Sequence, residues 1–402
     1  MSILHATTGV DLDDTAVGYA YRDTAELRTA YLLFRLLRYG ALVKVSNTLG
    51  ATALRWGIPL KPLLQKTLGR LFLGGESLEE SLPLLKRLHA HGVSTMLDYA
   101  VEASSETSHQ EAALAEYKRM IAFAQKNPDL VSFVAIKLTA LASPLLWEKL
   151  SAGEKLGPTL EKEHQLFHHR FSQLLEAAAQ AQIPLMVDAE ESWLQKAIDD
   201  TVESYMCRFN TDRVLLYTTI QMYRRDRLAY LKQLIARAQS YKLGIKLVRG
   251  AYVEKERKRA QERGYPDPIH PTKAGTDIAY DAALMECLEH IDRIGLCIAT
   301  HNRASCMKAV QHAILHNWPP DHPHLSFSQL YGMADPLSFG LAKAGFRVAK
   351  YVPYGPIRQA FPYLSRRAEE NSSLSDQSGR ELRWIQEELQ RRKELYRGKN
   401  RL

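Results

Sequence analysis

The chain has 402 residues, of which 46% are hydrophobic and 24% charged, with a formal net charge of +8. This length allows one large globular domain or two ordinary ones. The four cysteines, Cys207, Cys287, Cys297 and Cys306, form no C-x-x-C pair, which argues against a zinc ribbon or a redox dithiol and favours a reducing compartment. The first residues do not resemble a secretory or transit signal, and no apolar run reaches the roughly 18 residues of a membrane span. We therefore expect a cytoplasmic protein.

Residues 1–92 are predicted to form an N-terminal helical arm. The segments AELRTAYLLFRLLRYG and LKPLLQKTLGRLFLG both place apolar residues at the 3.6-residue period of a helix. The tetrapeptide Ser77-Leu78-Glu79-Glu80 matches the S-x-x-E capping box and comes just before the run SLPLLKRLHA. A further helix should therefore begin after Ser77.

Beyond the arm, short apolar runs alternate with amphipathic helical stretches. Eight of these runs are strand candidates: STMLDY, SFVAIKLTAL, IPLMVDAE, RVLLYTTIQ, GIKLVRGAY, GLCIATHN, HLSFSQLYG and FRVAKYVPYG. This alternation predicts a parallel sheet of the α/β class, and eight repeats fit a TIM-like (β/α)8 barrel over residues 93–375. A doubly wound open sheet is the alternative, but the Gly-rich phosphate loop that usually follows its first strand is missing. The segment SSLSDQSG is predicted to be a loop, and residues 376–402 a basic C-terminal helix.

Polar residues recur where the predicted strands end, which is where barrels of this kind place their active sites. A buried cation is costly unless it is paired, so repeated charges at strand ends favour a ligand site over a salt-bridged interior. In chain order these positions are Asp98 and Glu102, Lys137 inside strand two, Asp188–Glu191, Gln221, Lys246–Tyr252, Thr300–Asn302, Gln329–Met333 and Tyr351.

The segment after the last predicted strand is the most informative part of the chain. FRVAKYV ends in Pro353-Tyr354-Gly355-Pro356, and a helical pattern then begins. Tyr363, Arg366, Arg367 and Glu370 fall on one face of this helix, because they are spaced i, i+3, i+4 and i+7. Two adjacent guanidinium groups on one helix face are suited to binding a carboxylate.

The predicted site is rich in fixed cations and tyrosines, and it contains no Ser-His-Asp or Cys-His pairing for nucleophilic catalysis. Only one histidine, His301, lies at a strand end, so no metal site is predicted. Many donors without a nucleophile favour an anionic organic cofactor together with a carboxylate substrate.

Six motifs occur in order between about residues 97 and 373, one for each of several barrel strands: VAIKLTAL, DAEES, KLVRGAY, ATHN, QLYGM and YVPYGPIRQAFPYLSRRAEENSS. Together they resemble the flavin-dependent proline dehydrogenases. The segment ERGYPDPIHPTKAGTD after strand five resembles the monofunctional, mitochondrial-type branch. The resemblance implies a (β/α)8 barrel that holds FAD non-covalently and oxidises L-proline to Δ1-pyrroline-5-carboxylate. Hydride would pass from proline C5 to flavin N5, and ubiquinone or menaquinone in a membrane would reoxidise the flavin.

The resemblance also implies roles for individual residues around the substrate. Arg366 and Arg367 would clamp the proline carboxylate, with Lys137 as a third cation and Glu102 holding Arg367 in place. Asp98 and Asp188 would lie beside the pocket, and Tyr351, Tyr363 and Leu330 would form the walls around the pyrrolidine ring.

A second set of residues would bind FAD. Lys246 would face flavin N5, and Gln221 the pyrimidine end. Arg249, Gly250 and Ala251 would lie along the pyrophosphate. Val248 and Tyr252, on either side of them, would belong to the same cofactor-binding segment. Thr300, His301 and Asn302 would contact the adenosine portion, with Lys273, Thr276 and Glu370 nearby. Many bacterial relatives have Arg where this chain has Lys246, so we expect a different flavin hydrogen-bond pattern and a shifted flavin potential.

Three alternatives remain open at this point. A hydroxyproline dehydrogenase would need space beside C4 of the ring, which Tyr351 is expected to fill. A Schiff-base or metal-dependent barrel lyase could use Lys137 or Lys246 as its amine. A basic binding protein is the third alternative, but nucleic acid is disfavoured because aromatic residues are not interleaved with the basic runs. The basic tail, RRKELYRGKNRL, fits either a solvated helix face or peripheral contact with the inner face of the cytoplasmic membrane.

Overall fold

The computed structural model describes residues 9–39, 61–100, 104–373 and 375–399. Its strands form a closed parallel barrel in the order β1 to β8, which confirms the predicted fold class. The strands are β1 Ser94–Tyr99, β2 Val131–Ile136, β3 Leu185–Val187, β4 Leu216–Gln221, β5 Leu243–Val248, β6 Ile294–Ala299, β7 Leu325–Leu330 and β8 Val348–Tyr354.

Helices precede, separate and follow the strands, as the alternating pattern predicts. Those before the barrel are α1 Thr15–Gly18, α2 Thr24–Leu37, α3 Lys61–Leu64, a π-helical turn Gln65–Gly69, α4 Arg70–Phe72 and α5 Leu78–His89. Those between the strands are α6 Thr107–Lys126, a 3₁₀ turn Leu138–Ala140, α7 Pro144–Ser151, α8 Pro158–Ala181, α9 Ser192–Phe209, α10 Arg227–Arg237, α11 Val253–Arg263, α12 Lys273–Glu289, α13 Arg303–Leu315 and α14 Asp335–Lys343. The last two are α15 Ile357–Ser373 and α16 Ser375–Lys399.

The predicted helix start at Ser77 is confirmed, but only half of the capping box forms. The Ser77 hydroxyl accepts a hydrogen bond from the backbone N–H of Glu80 at 3.2 Å. The Glu80 carboxylate accepts instead from the N–H of Glu76, one residue before the position that a capping box requires. The glutamate therefore fixes the approach of the chain to α5 rather than the cap itself.

Two strand boundaries differ from the prediction. Strand β2 ends at Ile136, so Lys137 lies just beyond the strand, as the N-cap residue before the 3₁₀ turn, and not inside the strand. Strand β8 continues through Pro353 to Tyr354, so Tyr351 lies within the strand rather than at its end. Both errors have one cause: a continuous apolar run does not reveal where the backbone leaves the sheet.

The prediction that the segment SSLSDQSG forms a loop is wrong for most of its residues. Helix α15 continues to Ser373 and helix α16 begins at Ser375, while residue 374 lies outside the described part of the chain. Ser and Asp are weak helix formers, but they are tolerated where a helix terminates or begins.

Residue contacts divide the chain into two compact units, Met1–Val101 with Gln329–Leu402, and Glu102–Ser328. In the first unit, one hydrophobic core includes Leu27 and Phe34 of α2, Phe72 of α4, Leu364 of α15 and Ile385 of α16. The amino-terminal arm therefore shares its core with the carboxyl-terminal helices. The division at residues 92 and 376 that the sequence predicts stays a prediction.

In the second unit, buried Arg170 of α8 fixes the chain that follows β2. Its guanidinium donates to the carbonyl of Leu141 at 2.9 Å and to Gln110 Oε1 at 2.8 Å, and its Nε donates to Glu111 at 2.7 Å. These bonds tie α6, α8 and the segment just beyond Lys137 together. Among the described residues of both units, no helix has the length and apolar character needed to cross a bilayer.

Candidate active site

One cluster of paired charges in the second unit lies at the ends of β2 and β3 and on β5. Asp188, directly after β3, receives the ammonium group of Lys246 on Oδ1, and its Oδ2 lies 3.9 Å from Lys137 Nζ. The Lys246 side chain is only 5% exposed. The expectation that these buried cations have partners is confirmed for both lysines. One carboxylate between two ammonium groups leaves a net charge of +1 that can attract an anionic or electron-rich ligand.

A second carboxyl group lies close to this cluster. Glu190 is buried, and its Oε1 accepts a hydrogen bond from the Thr139 hydroxyl at 2.7 Å. Burial raises the pKa of Glu190 to about 7, and the nearby charges of Glu191 and Asp188 add to the rise while Thr139 and Lys137 oppose it. The backbone carbonyl of Glu190 accepts from Gln221 Nε2 at 2.7 Å. This bond fixes the predicted flavin-contacting amide at the end of β4.

Arg249, just after β5, organises a third group of polar side chains. Its Nε donates to Asp277 at 2.6 Å, its Nη1 to Thr300 Oγ1 at 2.6 Å and its Nη2 to Ser305 Oγ at 3.0 Å. Lys273 donates to the other Asp277 oxygen at 2.7 Å. Burial acts to raise the pKa of Asp277, but the hydrogen bonds from Lys273 and Arg249 outweigh it and hold the pKa below its ordinary value. The structure thus brings three predicted cofactor residues, Arg249, Thr300 and Lys273, into one network.

Gly250 follows Arg249 with φ = +123°, a conformation that residues with a side chain rarely adopt. A Cβ built at this position would overlap the ring of Tyr223, so glycine is required twice over. Tyr223 is itself held from behind, because its hydroxyl lies 3.4 Å from Glu256, which also accepts from Ser192. Glycine at this position therefore lets the loop after β5 pack directly against Tyr223.

Most of the remaining predicted cofactor residues lie at strand ends or in the first turns of the helices that follow. Val248 ends β5 half-buried, Ala251 is exposed, and Tyr252 immediately precedes α11. Asn302 is the N-cap of α13, where its side chain accepts from the N–H groups of residues 304 and 305. His301 beside it is half-buried, and Thr276 is buried in the first turn of α12.

In the first unit, helix α15 carries the predicted carboxylate clamp. Arg367 is buried, it donates through Nη2 to Glu370 at 2.5 Å, and its guanidinium carbon lies 5.4 Å from the centre of the Tyr363 ring. Burial raises the pKa of Tyr363, Asp98 and Glu370 add to the rise, and Arg367 and Arg366 oppose it. These charges therefore surround one tyrosine, as the i, i+3, i+4, i+7 spacing predicts.

Two buried donors on this helix face are unused. Among the residues that the structure describes, neither the Tyr363 hydroxyl nor Arg367 Nε has a hydrogen-bond partner. Such groups are costly to bury unless a ligand completes their hydrogen bonds. A carboxylate has the charge and the acceptor oxygens to do so.

The other predicted substrate residues are accounted for as follows. Asp98 is fully buried near the end of β1, paired in register with Pro353 of β8. Leu330 ends β7 half-buried, and Tyr351 is half-buried within β8. Glu102, predicted to hold Arg367, lies outside the described residues, and within them the partner of Arg367 is Glu370, to which the sequence assigned a cofactor role.

One buried ionic network was missed by the sequence reasoning. Lys350 of β8 is fully buried and lies 2.8 Å from Asp335 Oδ1. Asp335 Oδ2 accepts from the Tyr21 hydroxyl at 2.8 Å and from Arg22 Nε at 3.2 Å. Burial would raise the pKa of Asp335, but Lys350 and Arg22 outweigh it and lower the pKa. The signal was present, because Lys350 interrupts an apolar run just as Lys137 does.

The residues present fit an anionic dinucleotide and a carboxylate better than a metal ion. Cationic side chains and a glycine with positive φ gather after β5, and within the described residues α15 carries donors without a hydrogen-bond partner. In the described ranges, no three His, Cys, Asp or Glu side chains are arranged to hold a metal ion. The fold thus defines the class of the protein as a closed parallel (β/α)8 barrel, a fold that carries functional groups at its strand ends.

Comparison with known proteins narrows this class. The sequence profile of the family described as "Proline dehydrogenase" matches residues 82–380, so the chain belongs to the proline dehydrogenase family. Among curated proteins, it is 31% identical to proline dehydrogenase 1, mitochondrial, of Dictyostelium discoideum, over 94% of this chain and 74% of the relative. It is 30% identical to the Arabidopsis thaliana protein of the same name, over 96% of this chain and 87% of the relative.

Not every relative carries that name. The carbapenem antibiotics biosynthesis protein CarD of Pectobacterium carotovorum is 34% identical, over 83% of this chain and 88% of the relative. Among solved structures, proline utilization A from Bdellovibrio bacteriovorus, inactivated by N-propargylglycine, superposes with a TM-score of 0.70 at 22% identity. The match covers 90% of this chain and 38% of that one, and at this identity it supports the barrel fold alone.

Proposed function

We propose that this protein is an FAD-dependent proline dehydrogenase that oxidises L-proline to Δ1-pyrroline-5-carboxylate. The observation that carries the proposal is the inner face of α15, where buried Arg367 and Tyr363 hold donors that have no hydrogen-bond partner among the described residues. A bound amino-acid carboxylate would complete these hydrogen bonds, with Arg366 as the second guanidinium. Membership of the proline dehydrogenase family identifies proline as the amino acid to test first.

When bound, FAD supplies the acceptor for the hydride that leaves C5 of proline. Lys246 and Gln221 would hold the flavin ring, since both are buried and fixed, the first by Asp188 and the second by the Glu190 carbonyl. Arg249, Lys273 and Thr300 would bind the negatively charged and hydroxyl-bearing parts of the cofactor. In this scheme Gly250 lets the backbone approach the pyrophosphate.

Release of hydride from C5 requires the proline nitrogen as the free amine, so that its electron pair can assist the departure. We therefore expect kcat/KM for proline to rise with pH as the ammonium proton is lost. No side chain is assigned as a general base in this scheme. The reaction then depends on binding and orientation by the charged groups already described.

Electrons would pass from the reduced flavin to a membrane quinone, ubiquinone or menaquinone. This part of the proposal rests on the flavin-dependent mechanism and on the basic character of α16, whose exposed face includes Arg383, Lys393 and Arg397. A basic helix face can hold a protein at an anionic membrane surface.

The visible absorption spectrum of the purified protein tests the proposal directly. The expected result is a flavin spectrum that is bleached anaerobically by L-proline and not by trans-4-hydroxy-L-proline, because Tyr351 fills the space beside C4. Bleaching by hydroxyproline alone would overturn the assignment of proline as the substrate and favour a hydroxyproline dehydrogenase. A colourless protein that takes up no FAD, and that borohydride traps with a carbonyl substrate, would favour the Schiff-base lyase instead.

A further inference from the structure

Helix α8 carries two histidines one turn apart whose ring nitrogens meet. His164 and His168 are spaced i, i+4, and their Nε2 atoms lie 3.0 Å from each other. The ring centres are 4.5 Å apart and the ring planes are inclined at 59°. The two Nε2 atoms are therefore close enough for one small cation to lie within coordination distance of both.

The second ring nitrogen of His168 is held from the neighbouring helix. His168 Nδ1 lies 3.0 Å from the hydroxyl of Tyr205 on α9, and that hydroxyl is 3.1 Å from Ser172 Oγ. Tyr205 is buried, so the position of its hydroxyl is fixed. An outer hydrogen bond on the far nitrogen is the arrangement that orients metal-binding histidines and selects their tautomer.

Partial burial disfavours the charged form of both rings. Partial burial lowers the pKa of His164, and partial burial together with the charge of His164 lowers the pKa of His168. Two neutral rings can share one proton in a simple hydrogen bond between the Nε2 atoms. They can equally offer both lone pairs to a cation when the His168 proton moves to Nδ1, where the Tyr205 oxygen accepts it.

We propose that His164 and His168 form a binding site for a divalent transition-metal ion, with Cu²⁺ bound more tightly than Zn²⁺. An ion about 2.0–2.1 Å from each nitrogen would make an N–metal–N angle of roughly 95° at this separation. That angle suits two neighbouring positions of the tetragonal coordination that Cu²⁺ prefers better than the tetrahedral coordination of Zn²⁺. Water would complete the coordination, since no set of three ligand side chains exists in the described ranges.

A second i, i+4 histidine pair on the same unit provides the contrast. His312 and His316 of α13 stack with ring centres 4.2 Å apart and ring planes inclined at only 24°. Nearly parallel rings direct their in-plane lone pairs side by side rather than toward one point. This second pair stacks by its ring faces and therefore does not present the close approach of two ring nitrogens on which the proposed site depends.

The test is a Cu²⁺ titration of the purified full-length flavoprotein, followed by calorimetry in a buffer containing glycine as a weak competing chelator. We expect one bound equivalent with nitrogen splitting in the electron paramagnetic resonance spectrum. His164→Gln and His168→Gln should each lower the affinity at least about 100-fold, because loss of a ligand should exceed the 10–100-fold effect of outer-shell changes. Tyr205→Phe should lower it about tenfold and keep the stoichiometry.

Two controls stay outside the site. His169→Gln changes the next histidine on the same helix, which bonds Gln173, and the double variant His312→Gln/His316→Gln changes the stacked pair. Both should bind Cu²⁺ as the unaltered protein does, and metal-free melting curves establish that all variants are folded. The proposal is overturned if His164→Gln and His168→Gln keep the affinity for Cu²⁺, because the two rings would then share only a hydrogen bond. It is also overturned if the control variants lose as much affinity as these two variants.

Discussion

At the scale of single residues, the charged groups are paired by proximity in space and not in sequence. Asp188 contacts both Lys246, which lies on β5, and Lys137, which lies just beyond β2. On α15, by contrast, Arg367 and Glu370 are close in the chain and their contact follows from helical spacing. The geometry of the Asp188 cluster therefore depends on correct assembly of the barrel. The geometry of the Arg367–Glu370 pair depends only on the formation of helix α15.

The first residue-scale prediction concerns Arg367→Lys. Lysine keeps the charge but lacks the planar fork that binds a carboxylate through two hydrogen bonds. We expect KM for L-proline to rise about 30-fold or more with a smaller change in kcat, since the carboxylate is bound equally in the ground and transition states. Steady-state kinetics measures the effect, with exposed Arg383→Lys on α16 as the matched control. An unchanged KM would remove Arg367 from the substrate site.

A second prediction concerns Glu190→Gln and the pH dependence of stability. Burial raises the pKa of Glu190 from its ordinary value of 4.5 to about 7. Between these two values the unfolded carboxyl is ionised while the folded one keeps its proton, so stability falls as pH rises and the loss is complete above about 7. The full penalty is about 3 kcal/mol.

Glu190→Gln should abolish this part of the slope, so its stability gain over the unaltered protein should be larger at pH 8 than at pH 5. Denaturant unfolding of the two proteins at both pH values measures the difference. Glu381, whose pKa burial also raises to about 7, contributes a similar slope in both proteins and cancels in the comparison. Exposed Glu262→Gln serves as the control, and an identical pH response in all three proteins would contradict the prediction.

At the scale of elements, the ends of the strands decide what the barrel can bind. Lys137 lies between the end of β2 and a 3₁₀ turn as the N-cap of that turn, and Arg249 and Gly250 follow β5 in a loop that Tyr223 supports. Apolar content predicts that these strands exist, but the exit of each strand depends on backbone conformations such as φ = +123° at Gly250. A glycine in the sequence permits that conformation without specifying it.

Gly250→Ala tests this dependence. The added Cβ would meet the Tyr223 ring and strain a backbone in the region that favours glycine, so we expect the unfolding free energy to fall by about 2–4 kcal/mol and FAD retention to weaken. Gly264→Ala is the matched control, because Gly264 has φ = +71° at the end of α11 but nothing within 4 Å of its would-be Cβ. It should cost only about 1 kcal/mol. Equal losses in the two variants would show that the contact with Tyr223 is immaterial.

At the scale of the whole molecule, the chain's two ends share one unit. Arg392 of α16 donates to the backbone carbonyls of Tyr19 at 2.8 Å and Arg22 at 3.0 Å, so the C-terminal helix is fixed to the N-terminal arm. Trp384 and Ile385 of the same helix are buried in the core of that unit. Removing residues 385–402 would therefore disrupt folding as well as any surface contact, and a test of membrane binding must leave the helix in place.

Charge removal on the exposed face of α16 is the suitable test. Arg383→Gln/Lys393→Gln/Arg397→Gln changes three exposed side chains and should leave the melting temperature nearly unchanged. If this face contacts membranes, binding to vesicles with anionic lipid should weaken by about 3 kcal/mol, or roughly 100-fold, since each basic residue contributes about 1 kcal/mol. Co-sedimentation with anionic and neutral vesicles measures it. Equal binding by the variant and the unaltered protein would exclude this face of α16 as a membrane-contacting surface.

The amino-acid sequence by itself determined the eight strands, the alternating helices, and the face of α15 that carries Tyr363, Arg366, Arg367 and Glu370. These features follow from local periodicity, because a strand repeats every two residues and a helix every 3.6. Only the tertiary structure decided that Asp188 lies between Lys137 and Lys246, that Arg249 joins Asp277 to Thr300, and that Lys350 reaches Asp335. Such pairs join distant parts of the chain, and their distances are set by strand register and barrel closure, which no local pattern records.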